Sequence, residues 1–129
     1  MSDYQVQQYL ASKPSPKRSK VQTRTADLTL KPKDSGNIIT NTGASGAVTI
    51  TLPAGRRVGD NYKFRVNAAQ ELRIDPGLPT DSIVVLGLSP SAGEYITANA
   101  AGEHIDLEYI GGGQWFASNI GGTWTEETP

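Results

Sequence analysis

Gly46-Ala47-Val48-Thr49-Ile50-Thr51-Leu52-Pro53 is the stretch on which the fold turns. Val48, Ile50 and Leu52 alternate with Thr49 and Thr51, a period of two. That period puts apolar β-branched and leucine side chains on one face and hydroxyls on the other, the mark of a half-buried strand. Glycine before it and proline after it are residues of turns. The same texture recurs in both directions. Tyr62, Phe64 and Val66 alternate with Lys63 and Arg65, Leu72 and Ile74 enclose Arg73, and Ile105, Leu107 and Tyr109 alternate with His104, Asp106 and Glu108. Upstream, Leu28 and Leu30 alternate with Thr29 and Lys31, and Asn37–Asn41 holds two isoleucines. Ser82–Leu86 is a continuous apolar run, expected to be buried on both faces. Gln114–Ser118 carries Trp115 and Phe116.

Turn signals separate these runs: Lys33-Asp34-Ser35-Gly36, Thr42–Gly46, Pro53-Ala54-Gly55, Asp75-Pro76-Gly77 and Gly111-Gly112-Gly113. Short strands at this spacing predict an all-β fold, an antiparallel sandwich or jelly-roll-like single domain. No amphipathic helix is expected. Ala92–Gly102 contains alanines, but Gly93, Thr97, Asn99 and Gly102 make it a poor helix. No stretch has a second copy, so a repeat architecture is not expected.

The first 26 residues differ. Ala11–Lys20 combines two prolines, three serines and four cations, too little apolar area to offset the entropy of ordering. An extended basic arm over residues 1–26, ahead of a β-sandwich domain over 27–129, is the expected organisation. Charge follows the same division. Residues 1–33 carry seven basic and two acidic side chains, a net +5; residues 34–129 carry five basic and eleven acidic, a net −6. Gly121–Pro129 ends in Glu126-Glu127-Thr128-Pro129 and is expected to fray.

The 129 residues contain no cysteine, so disulfides and thiolate metal sites are excluded. The N-terminus lacks the pattern of a signal peptide, and no apolar run approaches the ~20 residues that cross a bilayer. A soluble protein made in a cytoplasm is expected, with no membrane partner.

Little in the chain points to catalysis. The single histidine, His104, has no Gly-x-Ser-x-Gly elbow to serve. His104, Asp106 and Glu108 share one strand face at spacings of about 6.5 Å, but one strand rarely supplies a metal site, and a solvated polar face is the simpler expectation. Asp34, Asp60, Asp75 and Asp81 lie in or beside turns, where aspartate ordinarily caps the backbone. The glycine-rich stretches lack the Gly-Lys-Ser/Thr ending of a phosphate loop. Neither enzyme activity nor a cofactor is expected. Trp115, Phe116, Trp124, Tyr62 and Tyr95 would serve a carbohydrate-binding module if exposed; core and interface packing is the expectation.

The arm carries the binding expectation. Tyr4, Val6, Tyr9 and Leu10 form an apolar tip, followed by Lys13, Lys17, Arg18, Lys20 and Arg24. No aromatic residue interleaves with those cations, so stacking on nucleic acid is disfavoured. Apolar anchors beside cations suit an acidic protein surface. Tyr4, Tyr9 and Leu10 are the expected anchors, and the five cations the expected partners of acids.

Several segments in order complete a resemblance: Asp34-Ser35-Gly36; Thr42 through Ala54; Gly59 with Tyr62–Val66; Ala69–Pro76 with Asp81-Ser82-Ile83; Gly113–Phe116; and Gly122-Thr123-Trp124. Together they resemble a β-module of tailed-bacteriophage structural proteins, found in capsid decoration (cement) proteins, head fibres and some tail fibres. The resemblance spans about Asp34 to Trp124 and excludes the arm. Arg56-Arg57 departs from it, where small or apolar residues would be expected. The resemblance implies a virion structural protein on the capsid surface, with the major capsid protein as partner, assembly into trimers and no catalytic residues. A short head-fibre or tail-fibre adaptor is the alternative it leaves open.

Overall fold

Wherever the sequence alternates, the chain is extended, and its apolar side chains turn to one shared interior. The structure, a computed structural model, describes residues 19–127. Among these, eleven strands form two sheets: β1 (Val21–Thr23), β2 (Leu28–Thr29), β3 (Ile38–Thr40), β4 (Val48–Thr51), β5 (Asn61–Arg65), β6 (Leu72–Asp75), β7 (Ser82–Val84), β8 (Ile96–Ala98), β9 (His104–Gly111), β10 (Gln114–Gly121) and β11 (Thr125–Glu126). One sheet has the order β1-β3-β5-β9-β10-β7, the other β11-β8-β6-β4-β2. The expected all-β, two-sheet domain is what the chain forms.

Strand direction departs from expectation. Five of the nine pairings are parallel: β1 with β3, β3 with β5, β2 with β4, β4 with β6 and β7 with β10. The antiparallel ones are β5 with β9, β9 with β10, β6 with β8 and β8 with β11. From β1 to β6 the chain alternates between the sheets, so each odd strand lies beside the previous odd one and each even strand beside the previous even one. The first half is thus wound as three stacked rungs, β1–β2, β3–β4 and β5–β6. Strands from the second half, antiparallel except for β7, then extend both sheets. The rungs are unequal. From Val21 to its partner Ile38 is 17 residues, and from Ile38 to Lys63 is 25. A winding without a fixed period leaves no repeat in the sequence.

Register aligns the alternating faces. In the second sheet Leu28, Ile50, Ile74 and Ile96 form one row across four strands, and Ile50, Ile74 and Ile96 are fully buried. Opposite them Gln22, Ile39, Phe64 and Ile105 make the corresponding row. Each buried aliphatic contributes about 1.5–3 kcal/mol by leaving water. The row is apolar except at its first member, where the stack begins.

Hydrogen bonds from side chains tie the rungs together. Asn41, fully buried, donates to the carbonyls of Ala68 (3.1 Å) and Gln70 (3.3 Å) and accepts from the amides of Asn67 (2.8 Å) and Ala68 (2.9 Å). One amide group thus satisfies four backbone groups of the turn in the next rung. Asp27 accepts from the Thr49 amide at 2.8 Å, and the Tyr62 hydroxyl donates to the Lys31 carbonyl at 2.9 Å. Gly77 has φ +88°, and a Cβ there would collide with the Leu52 carbonyl oxygen, so this turn packs backbone against backbone.

Three further expectations change. β1 lies within the stretch read as arm, and Val21–Thr23 pairs with Ile38–Thr40. The tail expected to fray contributes β11, which pairs with β8 in the non-helical stretch Ala92–Gly102. Ser82–Leu86 is not buried on both faces. It supplies an edge strand whose Ser82 and Val84 are half-buried, and Leu86 beyond it is 93% exposed.

Candidate functional site

β1 and β2 are the outermost strands of their sheets at the same end of the stack. Between them runs a groove of ≈ 420 Å³, bordered by Lys20, Gln22, Arg24, Thr29, Lys31 and Lys33. Four cations therefore converge on it. Asp34 also borders it, its carboxylate accepting from the Lys31 amide at 3.0 Å, so four cations and one acid leave the groove net positive. Among the described residues none of the four cations forms an ion pair; the ion pairs are Arg56–Asp81, Arg65–Asp106 and Arg73–Glu71. Gln22 faces the interior, and its Oε1 accepts from Arg24 Nη2 at 2.7 Å. A polar pair thus finishes the apolar row at this end, as terminal units of stacked folds do.

Among the described residues the outer backbone edge at this end also has no partner strand. In a parallel ladder, residues bonded to the neighbouring strand alternate with residues facing away. Ile38 N–H donates to Lys20 O, and Arg24 N–H to Thr40 O, both at 2.8 Å. Val21 and Thr23, lying between, turn their amides and carbonyls to the open edge. On β2 the Leu30 amide donates to Thr51 O, which leaves Thr29 facing outward in the same way.

Of the residues expected to bind a partner, Lys20 and Arg24 come together in this groove. Tyr4, Tyr9, Leu10, Lys13, Lys17 and Arg18 lie outside the described residues. Lys31 and Lys33 belong to the same basic block of the sequence but lie beyond the first 26 residues. Only the winding brings their rung edge to face β1.

His104, Asp106 and Glu108 share the outer face of β9, as their spacing predicts. Asp106 pairs with Arg65 at 2.8 Å, and His104 Nδ1 lies 3.0 Å from the Gly102 carbonyl. Among the described residues no three histidine or carboxylate side chains converge as metal ligands. Asp34, Asp60 and Asp75 cap turns, accepting from the amides of Lys31, Arg57 and Gly77. Asp81 differs: it is fully buried, and its Oδ1 accepts from Arg56 Nη2 at 2.7 Å. The Arg56 guanidinium also lies 4.8 Å from the centre of the Tyr109 ring, a cation–π contact. Arg56, the departure from the phage-module pattern, thus neutralises a buried carboxylate.

Tyr109 packs against Trp115 at a tilt (5.2 Å between ring centres), and Trp115 against Tyr62 likewise (5.9 Å). Tyr62, Trp115 and Trp124 are buried, and Tyr95 is covered by Arg73. Phe116 alone of the five is an exposed ring, 49% accessible. Burial, followed by the charges of Asp60 and Asp34, raises the Tyr62 phenol far above its usual range. Glu103 moves the other way. Desolvation opposes its ionisation, but amide bonds from Thr123, Ala100 and Asn99 outweigh that and hold the carboxyl below its ordinary value.

No protein-family model matches this chain, and no curated protein matches it. Among the described residues no helix is long and apolar enough to cross a membrane.

Proposed function

We propose that this chain is a non-enzymatic virion structural protein, a decoration (cement) protein that binds the outer surface of a tailed-phage head and stabilises it. The observation that carries this reading is the basic groove at the first rung, where the basic N-terminal segment joins the domain. Lys20 and Arg24 end that segment, and Lys31 and Lys33 add to it from the turn that follows β2. Residues 34–129 bear a net −6, so the protein presents a basic attachment end and an acidic body. The basic end is the one that faces the shell, where acidic groups of the partner attract it.

The order of segments from Asp34 to Trp124 supports the same reading through its resemblance to phage β-modules. The major capsid protein is the partner, and residues 1–18 extend the attachment across neighbouring subunits. Heads associate as trimers through the outer face of β10 and β7, where exposed Phe116 lies beside Val84. Several weak attachments engaged by one trimer then add up to firm binding.

Copy number tests this reading. Quantitative mass spectrometry of purified particles is expected to find the protein in a simple, high ratio to the major capsid protein. Deleting residues 1–18, which leaves β1 intact, is expected to weaken shell binding. A handful of copies per particle would move the protein to a fibre or connector, and absence from particles would overturn the virion reading.

A further inference from the structure

We infer that the open first rung is a strand-docking site, and that its occupant is an extended acidic segment of a partner protein that pairs with the free edge of β1 and lies in the groove toward β2. The inference takes the decoration reading only for the identity of the partner, which would then be a capsid subunit.

Two independent features define the occupant. The first is the backbone. Val21 and Thr23 offer amide donors and carbonyl acceptors at an edge that no described strand covers. Such an edge is a template for one more strand, whatever that strand's side chains. Val21, 57% exposed, adds an apolar contact beside the unpaired groups.

The second feature is charge. Lys20 and Arg24 border the groove from the β1 side, and Lys31 and Lys33 from the β2 side. A strand laid between them projects alternate side chains to opposite faces. Carboxylates at alternate positions would meet these cations while the backbone bonds to Val21 and Thr23. The chain's own residues 1–18 carry Lys13, Lys17 and Arg18 against a single acid, Asp3. Like charge disfavours them as the occupant and leaves an acidic segment from outside. Gln22 and Arg24 keep the end polar, so the site attracts a charged strand rather than a bare apolar one.

Amide exchange of the full-length, isotope-labelled chain tests this directly. The probe is a short synthetic peptide alternating glutamate with valine; the control replaces each glutamate by lysine. The glutamate peptide is expected to slow exchange at Val21 and Thr23 and leave the buried core strands unchanged. The lysine peptide is expected to have no effect. The double variant Lys31→Glu/Lys33→Glu is expected to weaken capture roughly tenfold or more, as loss of charge complementarity does at steered interfaces, while melting as the natural chain does. Protection at Val21 and Thr23 before any peptide is added would assign the edge to the chain's own N-terminal segment and overturn the inference. Equal capture of both peptides, or capture without protection of β1, would also overturn it. Peptide capture by a protein absent from particles would keep the docking site and discard the capsid; abundant copies in particles without peptide capture would do the reverse.

Discussion

At the far end of the stack the chain from Val85 to Tyr95 crosses from β7 in one sheet to β8 in the other. The Gly93 amide donates to Asp81 O at 2.7 Å, Ser89 donates to Glu126 and Tyr95 to Glu127, while Leu88 and Trp124 pack against the interior. At the near end the short link of residues 24–27 joins β1 to β2, and the groove beside it stays open. The core stops at Gln22 and Arg24, and a groove bordered by four cations separates β1 from β2. One end is finished by packing and the other by polar side chains. β7 is an edge strand at the far end as β1 is at the near end, but only β1 has a groove of four cations beside its open edge. That difference is the physical basis for placing attachment at the first rung.

Substitutions at the two ends should therefore differ in size. Trp124→Ala removes a buried ring whose indole N–H donates to the carbonyls of His104 (3.1 Å) and Gly121 (3.3 Å). Urea unfolding should show a loss of about 4 kcal/mol, in the range of tryptophan truncations in cores. Between the ends, Asn41→Ala leaves two amides and two carbonyls of the turn after β5 without their partner, and should cost about 3 kcal/mol by the same measurement. If Asn41→Ala were nearly silent, the rungs would not be held by that side chain.

Acid should reach the second half through Glu103. Its folded pKa lies below its unfolded value, so the stability it supplies is complete above the ordinary carboxylate range. That stability is lost as pH falls through the folded pKa. Melting temperatures measured from neutral pH downward should show Glu103→Gln to be less stable than the natural chain at neutral pH. The difference should shrink in acid. The smallest effect is expected at the near end. Arg24→Ala loses only a half-exposed hydrogen bond to Gln22, and unfolding should shift by about 1 kcal/mol or less.

The sequence reveals the closed interior better than the open end. β4, β5, β6 and β9 are legible because every second side chain is apolar and the register places those residues in shared rows. β1 is hidden because its interior position is Gln22, which breaks the apolar alternation where the core ends. β8 and β11 offer only three and two residues, too few for a period to declare itself. Parallel winding leaves no sign in the alternation, since a strand's in–out pattern is the same whichever neighbour it pairs with, and unequal rungs remove the repeat. Lys20 and Arg24 are legible as members of a basic segment. Lys31 and Lys33 join them only through the return of the chain along β2, and the Arg56–Asp81 pair likewise depends on two loops meeting at the same end.

The proposed attachment through the first rung is tested most directly by binding of the full chain to phage shells that lack it. Three proteins are compared at one salt concentration: the natural chain, Lys31→Glu/Lys33→Glu at the near end, and Glu126→Lys at the far end. The near-end variant should keep its fold and lose roughly tenfold or more in affinity, while the far-end variant binds as the natural chain does. Equal binding by all three, or loss confined to Glu126→Lys, would contradict attachment through the first rung.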